Sequence, residues 1–203
     1  ADIAATTLPV WQFTSRLTAG TDLTVTRLVT EEVSCLHDYT LTVRQMKAIE
    51  EADVVILSGA GLEEFLDDAL ESAGKVIDSS AGIELLTGEH HHHHEGEEEE
   101  SHVGHHHETD PHIWLSPAHA AEQARNICAG LSAQYPEYAA IFEENLTKLL
   151  IDLQTLEEYG KLELAELSSR EILTFHDGFA YLAHAFDIEI VEAIEEESGA
   201  EAS

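Results

Sequence analysis

The chain has 203 residues, 43% of them hydrophobic, which is enough for one large domain, or for one domain and part of another. It carries 41 acidic residues against 9 basic ones, which gives a formal net charge of −32. Such a surface repels nucleic acid and anionic lipid and attracts cations, so the charge argues against DNA or RNA binding. The general acidic surface of a salt-adapted protein is the alternative explanation.

Several features bear on the compartment. No run of 18 apolar residues is present, so we expect no segment that spans a bilayer. The first residues carry no basic segment followed by an apolar stretch, which fits a mature, processed protein. The two cysteines, Cys35 and Cys128, fit one disulfide in an oxidising compartment, and two unpaired buried thiols are the alternative.

The first 80 residues alternate strand and helix signals. Residues 53–57 (DVVIL) are continuously apolar, as in a strand that is covered on both faces. Strands that alternate with helices predict parallel pairing and an α/β layered sheet. The predicted elements are strands 3–8, 23–29, 53–57 and 75–78 and helices 10–19, 42–52 and 62–72.

A low-complexity segment, residues 89–108, interrupts this alternation. It has almost no apolar side chain to bury, so we predict a mobile surface loop. Its histidines stand in clusters separated by a run of glutamates and can chelate several divalent ions weakly, as a lure, a sensor or a buffer; a tolerated insertion is the alternative. Protonation of these side chains below pH ~6.5 would release metal. They are His90, His91, His92, His93, His94, His102, His105, His106 and His107.

The second half begins with a helix over 116–133, which Ser116 and Pro117 open as cap and first residue. A helical pattern from Pro136 to about Leu167 would be roughly 45 Å long and suits a connection between two lobes. A strand–helix–strand unit follows at 172–191, and because one such unit cannot make a covered sheet, we expect an incomplete second lobe. The predicted division is an N-terminal α/β lobe (1–135, with the histidine-rich loop at 89–108), a linking helix (136–168) and a partial C-terminal α/β lobe (169–203).

Three histidines outside the insertion share a context. His37 follows the strand at 23–29, His112 precedes a helix, and His176 directly follows the strand at 172–175. Ligands of open α/β folds bind beyond the carboxyl ends of the strands, so these imidazoles would converge on a nitrogen site suited to Zn²⁺. For a single histidine, a capping or core role is the alternative. Each has a neighbouring carboxylate that could accept its second ring N–H: Asp38, Asp110 and Asp177.

Two further histidines, His119 and His184, are expected to be an exposed helix residue and a packing residue respectively. Neither is predicted to bind the metal. They complete the five histidines that lie outside the insertion.

Three segments resemble a known family in sequence, order and spacing. The chain is similar to the zinc-specific members of the cluster A-I solute-binding proteins, which serve metal-importing ABC transporters. The resemblance covers essentially the whole chain, with the histidine-rich insertion and the long helix in the same places. The segments are HDYTLTVRQMKAIEEADVVILSGAGLEEFL (37–66), DPHIWLSP (110–117) and TFHDGFAYLAHAFDI (174–188).

The resemblance implies a two-lobed α/β fold, with parallel sheets joined by a long rigid helix and a metal ion in the cleft. It implies His37, His112 and His176 as ligands, and a histidine at the third position is typical of zinc members rather than manganese members. Trp114 would pack beside the site. It also implies a fourth, acidic ligand from late in the second lobe, beyond the end of this chain.

The resemblance further implies zinc capture in the periplasm or at the outer face of the cell membrane, and delivery to the membrane permease of an ABC importer. We expect a monomer that does not bind nucleic acid. Whether a lipid anchor holds the protein to the membrane is left open by the sequence. Mn²⁺, Fe²⁺, Ni²⁺ and Cu²⁺ are alternative cargoes, since geometry rather than raw affinity decides metal selection.

Two other functions fit part of the same residues. A zinc hydrolase also uses three protein ligands and an open position, but no HExxH motif exists, and the nearest match, HETDPH at 107–112, has the wrong spacing. No Gly-x-Ser-x-Gly motif is present either, so we expect no enzyme. A metal-storage or metallochaperone protein would use the histidine-rich loop as its main site, and deletion of residues 90–107 would then abolish binding.

Overall fold

The computed structural model describes residues 2–31, 36, 39–87 and 109–195 of the chain. The predicted ligand His37, its neighbour Asp38, Cys35 and the nine histidines of the insertion lie outside these residues. Within the part that is described, no helix is long and apolar enough to cross a membrane.

Four parallel strands form the first sheet. Its elements, in chain order with the surrounding helices, are β1 (Ile3–Ala5), α1 (Leu8–Leu17), β2 (Val25–Arg27), α2 (Val43–Glu51), β3 (Val54–Leu57), α3 (Asp67–Leu70) and β4 (Lys75–Asp78). The strand order is β2-β1-β3-β4, and every neighbouring pair is parallel. The predicted α/β fold with a parallel sheet is confirmed.

Two long helices follow, α4 (Pro117–Gln134) and α5 (Ala139–Glu163). The helical pattern predicted from Pro136 begins with a 3₁₀ turn, Pro136–Tyr138, before α5 starts. Ser116 caps α4, because its side chain accepts a hydrogen bond from the backbone N–H of His119 at 3.4 Å.

Helices cover both faces of the first sheet. Successive strand residues point to opposite sides, so Ile56 packs in a core that includes Leu131 of α4 and Phe142 of α5. Its neighbour Val55 packs on the other side with Ile49 of α2. The continuous apolar run at 53–57 therefore indicated a doubly covered strand correctly.

Helix α2 begins with a capping box. The Thr42 side chain accepts from the Gln45 backbone N–H at 3.2 Å, and the Gln45 side chain accepts from the Thr42 N–H at 2.9 Å. The amide of Gln45 also donates to the carbonyl of Leu28 at 2.9 Å. The cap thus also attaches α2 to the chain that leaves β2.

The helix predicted over 62–72 is largely wrong. The segment forms a 3₁₀ turn, Glu64–Leu66, and only the single-turn helix α3. Glu63 precedes this turn and is buried, with 5% of its surface exposed. The chain therefore turns a carboxylate inward at the point where a regular amphipathic helix was expected.

The second sheet has two parallel strands, β5 (Glu171–His176) and β6 (Glu189–Glu195), joined through helix α6 (Ala180–Ala185). A Cβ on Gly160 of α5 would lie 2.5 Å from the ring of Phe186, which follows α6. Glycine at this position lets the Phe186 ring pack directly on the α5 backbone.

Arg170 joins α5 to this second unit. Its guanidinium donates to the carbonyl of Leu164 at the end of α5, at 2.9 Å, and to the carbonyls of Phe186 and Asp187. Three backbone acceptors on two segments are satisfied by one side chain, which fixes the start of β5 relative to both helices.

Candidate metal site

His112 is held by a carboxylate at the start of the α4 segment. Asp110 Oδ1 accepts from the His112 backbone N–H at 2.9 Å and lies 2.7 Å from His112 Nδ1. Because a carboxylate only accepts, Nδ1 is the donor in this contact, and Nε2 is the ring nitrogen left for a metal. The Asp110 side chain is 9% exposed and that of His112 is 25% exposed, so the histidine side chain lies on a partly open surface.

His176 is the last residue of β5, and its ring faces the ring of His112, which lies in the segment before α4. The ring centroids are 6.1 Å apart and the rings are perpendicular. Two imidazoles on one tetrahedral zinc ion have centroids roughly 5 Å apart, given Zn–N distances of about 2.0–2.1 Å. The observed separation is roughly 1 Å larger than this.

Gly178 and Trp114 line the space beside the two rings. A Cβ on Gly178 would lie 3.2 Å from His176 Cδ2 and 3.4 Å from His112 Cε1, so this position borders both imidazoles. Trp114 packs edge-on against His112, with centroids 5.4 Å apart. This contact agrees with the packing role that the sequence implied for Trp114.

The structure brings together two of the three predicted ligands. His37 lies outside the described residues, with Asp38 and the histidines of the insertion, so those assignments stay predictions. Asp177 is exposed. Among the described residues, no group of three or more histidine, cysteine, aspartate or glutamate side chains has an arrangement that could hold a metal ion.

Tyr181 is a residue that the sequence analysis did not single out. Its hydroxyl donates to the carbonyl of Asp110 at 2.7 Å and accepts from the N–H of Leu86 at 2.9 Å. Burial raises the pKa of Tyr181, so the hydroxyl keeps its proton. Leu86 and Asp110 flank the insertion, and the bridge between Thr87 and Thr109 closes its base.

Glu63 was also missed. Its carboxylate accepts from the Thr6 hydroxyl at 2.8 Å and from the backbone N–H groups of Ser58 and Gly59 at 2.5 and 2.9 Å. Burial raises its pKa to about 7, although the three donors act in the opposite direction. The signal that could have revealed it is the glycine-rich turn after β3, where Gly59 has a φ of 83°.

Both expectations for the two remaining histidines are wrong. His119 is half-buried, with its ring edge-on to Tyr181 at 5.5 Å, because α6 packs against the start of α4. Burial, and then the nearby His184, lower its pKa. His184 itself is exposed rather than packed, since it lies on the outer side of the short helix α6.

The predicted disulfide is not tested, because Cys35 lies outside the described residues. Cys128 is 1% exposed within the core on α4. Its Sγ lies 3.6 Å from a carboxylate oxygen of Glu143, and burial raises the pKa of the thiol to about 11.

The described residues thus form a parallel α/β sheet beside a second parallel sheet, with one histidine on each side of the junction. Comparison with known proteins places this fold among the metal-binding solute-binding proteins. The family described as ZnuA, zinc-uptake complex component A, periplasmic, matches residues 3–203. The chain belongs to this family.

Two curated relatives illustrate the similarity. The chain is 29% identical over 186 residues to the zinc-binding lipoprotein AdcA of Streptococcus pneumoniae R6, covering 90% of this chain and 36% of that protein. It is 31% identical over 196 residues to the high-affinity zinc uptake system protein ZnuA of Bacillus subtilis 168, covering 93% and 59%. The chain thus spans between about a third and three fifths of these relatives.

Solved structures show the same fold. A crystal structure of ZnuA superposes with a TM-score of 0.83 at 30% identity, covering 100% of this chain and 74% of that one. The Zn(II)-bound ZnuA-like domain of S. pneumoniae AdcA gives a TM-score of 0.80 at 26% identity, covering 99% and 69%.

Proposed function

We propose that this chain captures Zn²⁺ outside the cytoplasm and delivers it to the membrane permease of an ABC importer. The observation that carries the proposal is the meeting of His112 and His176, which come from separate parts of the fold and have ring centroids 6.1 Å apart. Binding and release are the whole of this function, without a catalytic step. Zinc is the cargo in this proposal: imidazole nitrogen suits Zn²⁺ better than Mn²⁺, which prefers oxygen ligands, and against Ni²⁺ or Cu²⁺ the coordination geometry decides.

The contact between Asp110 and His112 supports a ligand role for this histidine. Metal-binding histidines commonly donate their second ring N–H to a carboxylate, which orients the ring and raises its basicity. Here the carboxylate is nearly buried and lies 2.7 Å from Nδ1. His37 is the third ligand in this proposal, with Asp38 as its partner, and Asp177 serves His176.

The remaining parts of the proposal concern location and partners. The net charge of −32 concentrates cations near the protein, and the histidines of residues 90–107 add weak sites close to the main one. The relatives are named as a lipoprotein and as an uptake-system protein, which supports a place in the periplasm or at the outer face of the cell membrane. The protein acts as a monomer, and a lipid anchor is one way for it to stay at the membrane.

Zinc titration by calorimetry tests the proposal on the whole chain, on a form without residues 90–107, and on His112→Ala and His176→Ala variants. We expect one tight site that survives the deletion and is lost in both alanine variants. His184→Ala is the matched control, because this exposed histidine lies only eight residues after His176, on α6. Tight binding that disappears with residues 90–107 and persists in His112→Ala would instead support metal storage by the insertion.

A further inference from the structure

We propose that Tyr181 is a positioning residue that sets the distance between the His112 and His176 imidazoles. This inference rests on the proposed function, because it assigns a role toward the same metal site. Tyr181 lies on α6, five residues after His176, and it contacts the segment that carries His112. It is not a ligand itself.

The hydroxyl of Tyr181 makes two hydrogen bonds to backbone groups on either side of the insertion. It donates to the carbonyl of Asp110 at 2.7 Å and accepts from the N–H of Leu86 at 2.9 Å. Asp110 and Leu86 are themselves joined, since the Asp110 N–H donates to the Leu86 carbonyl at 2.9 Å. One side chain on α6 therefore holds both sides of the insertion base.

The same Asp110 orients His112. Its carboxylate binds the backbone N–H and the ring of that histidine, while its carbonyl receives the Tyr181 hydroxyl. A short path of two contacts thus leads from the His112 ring through Asp110 to Tyr181 on α6. Because only three residues separate the end of β5 from the start of α6, a displacement of Tyr181 would displace His176 relative to His112.

Because Tyr181 is buried, water cannot easily substitute for its hydroxyl. Tyr181 is 1% exposed, so water cannot easily take over its two bonds when the oxygen is removed. The ring alone has a separate role, since it packs edge-on against His119 at 5.5 Å. A Tyr181→Phe substitution keeps this packing and removes only the hydroxyl, and it therefore separates positioning from core filling.

The test compares Tyr181→Phe with Tyr159→Phe, which makes the same chemical change at a residue of α5 that is 60% exposed. Zinc affinity is measured by competition with a chelator, and the visible spectrum of bound Co²⁺ reports the coordination geometry. We expect Tyr181→Phe to weaken zinc binding by about ten- to a hundredfold, as for other residues that orient metal ligands, and to change the Co²⁺ spectrum. Tyr159→Phe leaves both unchanged.

A measurement on the unmodified chain keeps the inference testable if Tyr181→Phe does not fold. Zinc should slow hydrogen exchange of the Leu86 amide, which is bonded to the Tyr181 hydroxyl, because the metal holds both sides of this network together. An unchanged exchange rate would contradict the inference.

The outcomes separate this inference from the proposed function. If the chain binds zinc tightly through His112, and Tyr181→Phe matches it in affinity and in the Co²⁺ spectrum, then only the positioning role is refuted. If the unmodified chain has no tight site, or if His112→Ala retains it, then the proposed function and the role of Tyr181 fall together.

Discussion

Replacement of Glu63 by glutamine should change the stability of the protein in a pH-dependent way. Both carboxylate oxygens of Glu63 accept hydrogen bonds: Oε1 from the Thr6 hydroxyl and the Ser58 N–H, and Oε2 from the Gly59 N–H. A glutamine amide has one oxygen and one NH₂ group. In Glu63→Gln the NH₂ group faces a backbone donor, so one hydrogen bond is lost and two buried donors oppose each other, which costs about 1–3 kcal/mol.

The second contribution comes from ionisation. Burial raises the pKa of Glu63 from 4.5 to about 7 in the folded chain. The folded state then binds more protons than the unfolded state between these values, so the free energy of unfolding falls as the pH rises through this window. A shift of this size corresponds to roughly 3 kcal/mol, and glutamine, which does not titrate, does not show this loss.

The assay is urea unfolding of the unmodified chain and of Glu63→Gln at pH 5 and pH 8, with a chelator present so that bound metal adds no stability. We expect the variant to be less stable at pH 5, and the difference to shrink by up to about 3 kcal/mol at pH 8. Glu64→Gln is the control, because Glu64 is the exposed next residue. A difference that widens with pH would refute the reasoning: it would mean that the three donors outweigh burial and keep the carboxylate ionised.

Two further substitutions test the elements that support the site. Thr42→Ala removes the side-chain acceptor of the α2 capping box and should lower the free energy of unfolding by about 1 kcal/mol in urea titrations, whereas Thr40→Ala at an exposed position should change it by less than about 0.5 kcal/mol. Gly160→Ala places a Cβ 2.5 Å from the Phe186 ring and should cost about 1–3 kcal/mol by overpacking, more than the gain of about 1 kcal/mol in helix propensity. Combination with Phe186→Leu should restore part of this loss, and a Gly160→Ala variant more stable than the original chain would contradict the close packing.

The sequence predicted correctly the elements that depend only on residues close together in the chain. The strand at 75–78 was predicted with the same bounds as β4, and the cap at Ser116 was found from its residue type and the following proline. The helix over 62–72 failed for a non-local reason. Glu63 is held inside by donors from the ends of β1 and β3, and one of them, Thr6, lies 57 positions away.

The candidate site shows the same division. Its histidines could be selected from the sequence because strand ends and helix starts are local features, and the contact between Asp110 and His112 joins residues two apart. The hydrogen bond from Tyr181 to Asp110 joins residues 71 apart. Periodicity could place Tyr181 in a helix, but no local signal indicated which backbone group its hydroxyl would reach.

The narrow base of the insertion allows the protein to vary in that region at little energetic cost. Thr87 and Thr109 are paired directly, so the two ends of the intervening segment are held next to each other. The entropy of closing such a segment grows slowly, by about 0.6 kcal/mol for each doubling of its length. Insertions and deletions between these two threonines can therefore change the number of histidines during evolution without altering the register of any strand. The same junction is a suitable place to graft a reporter domain close to the candidate metal site.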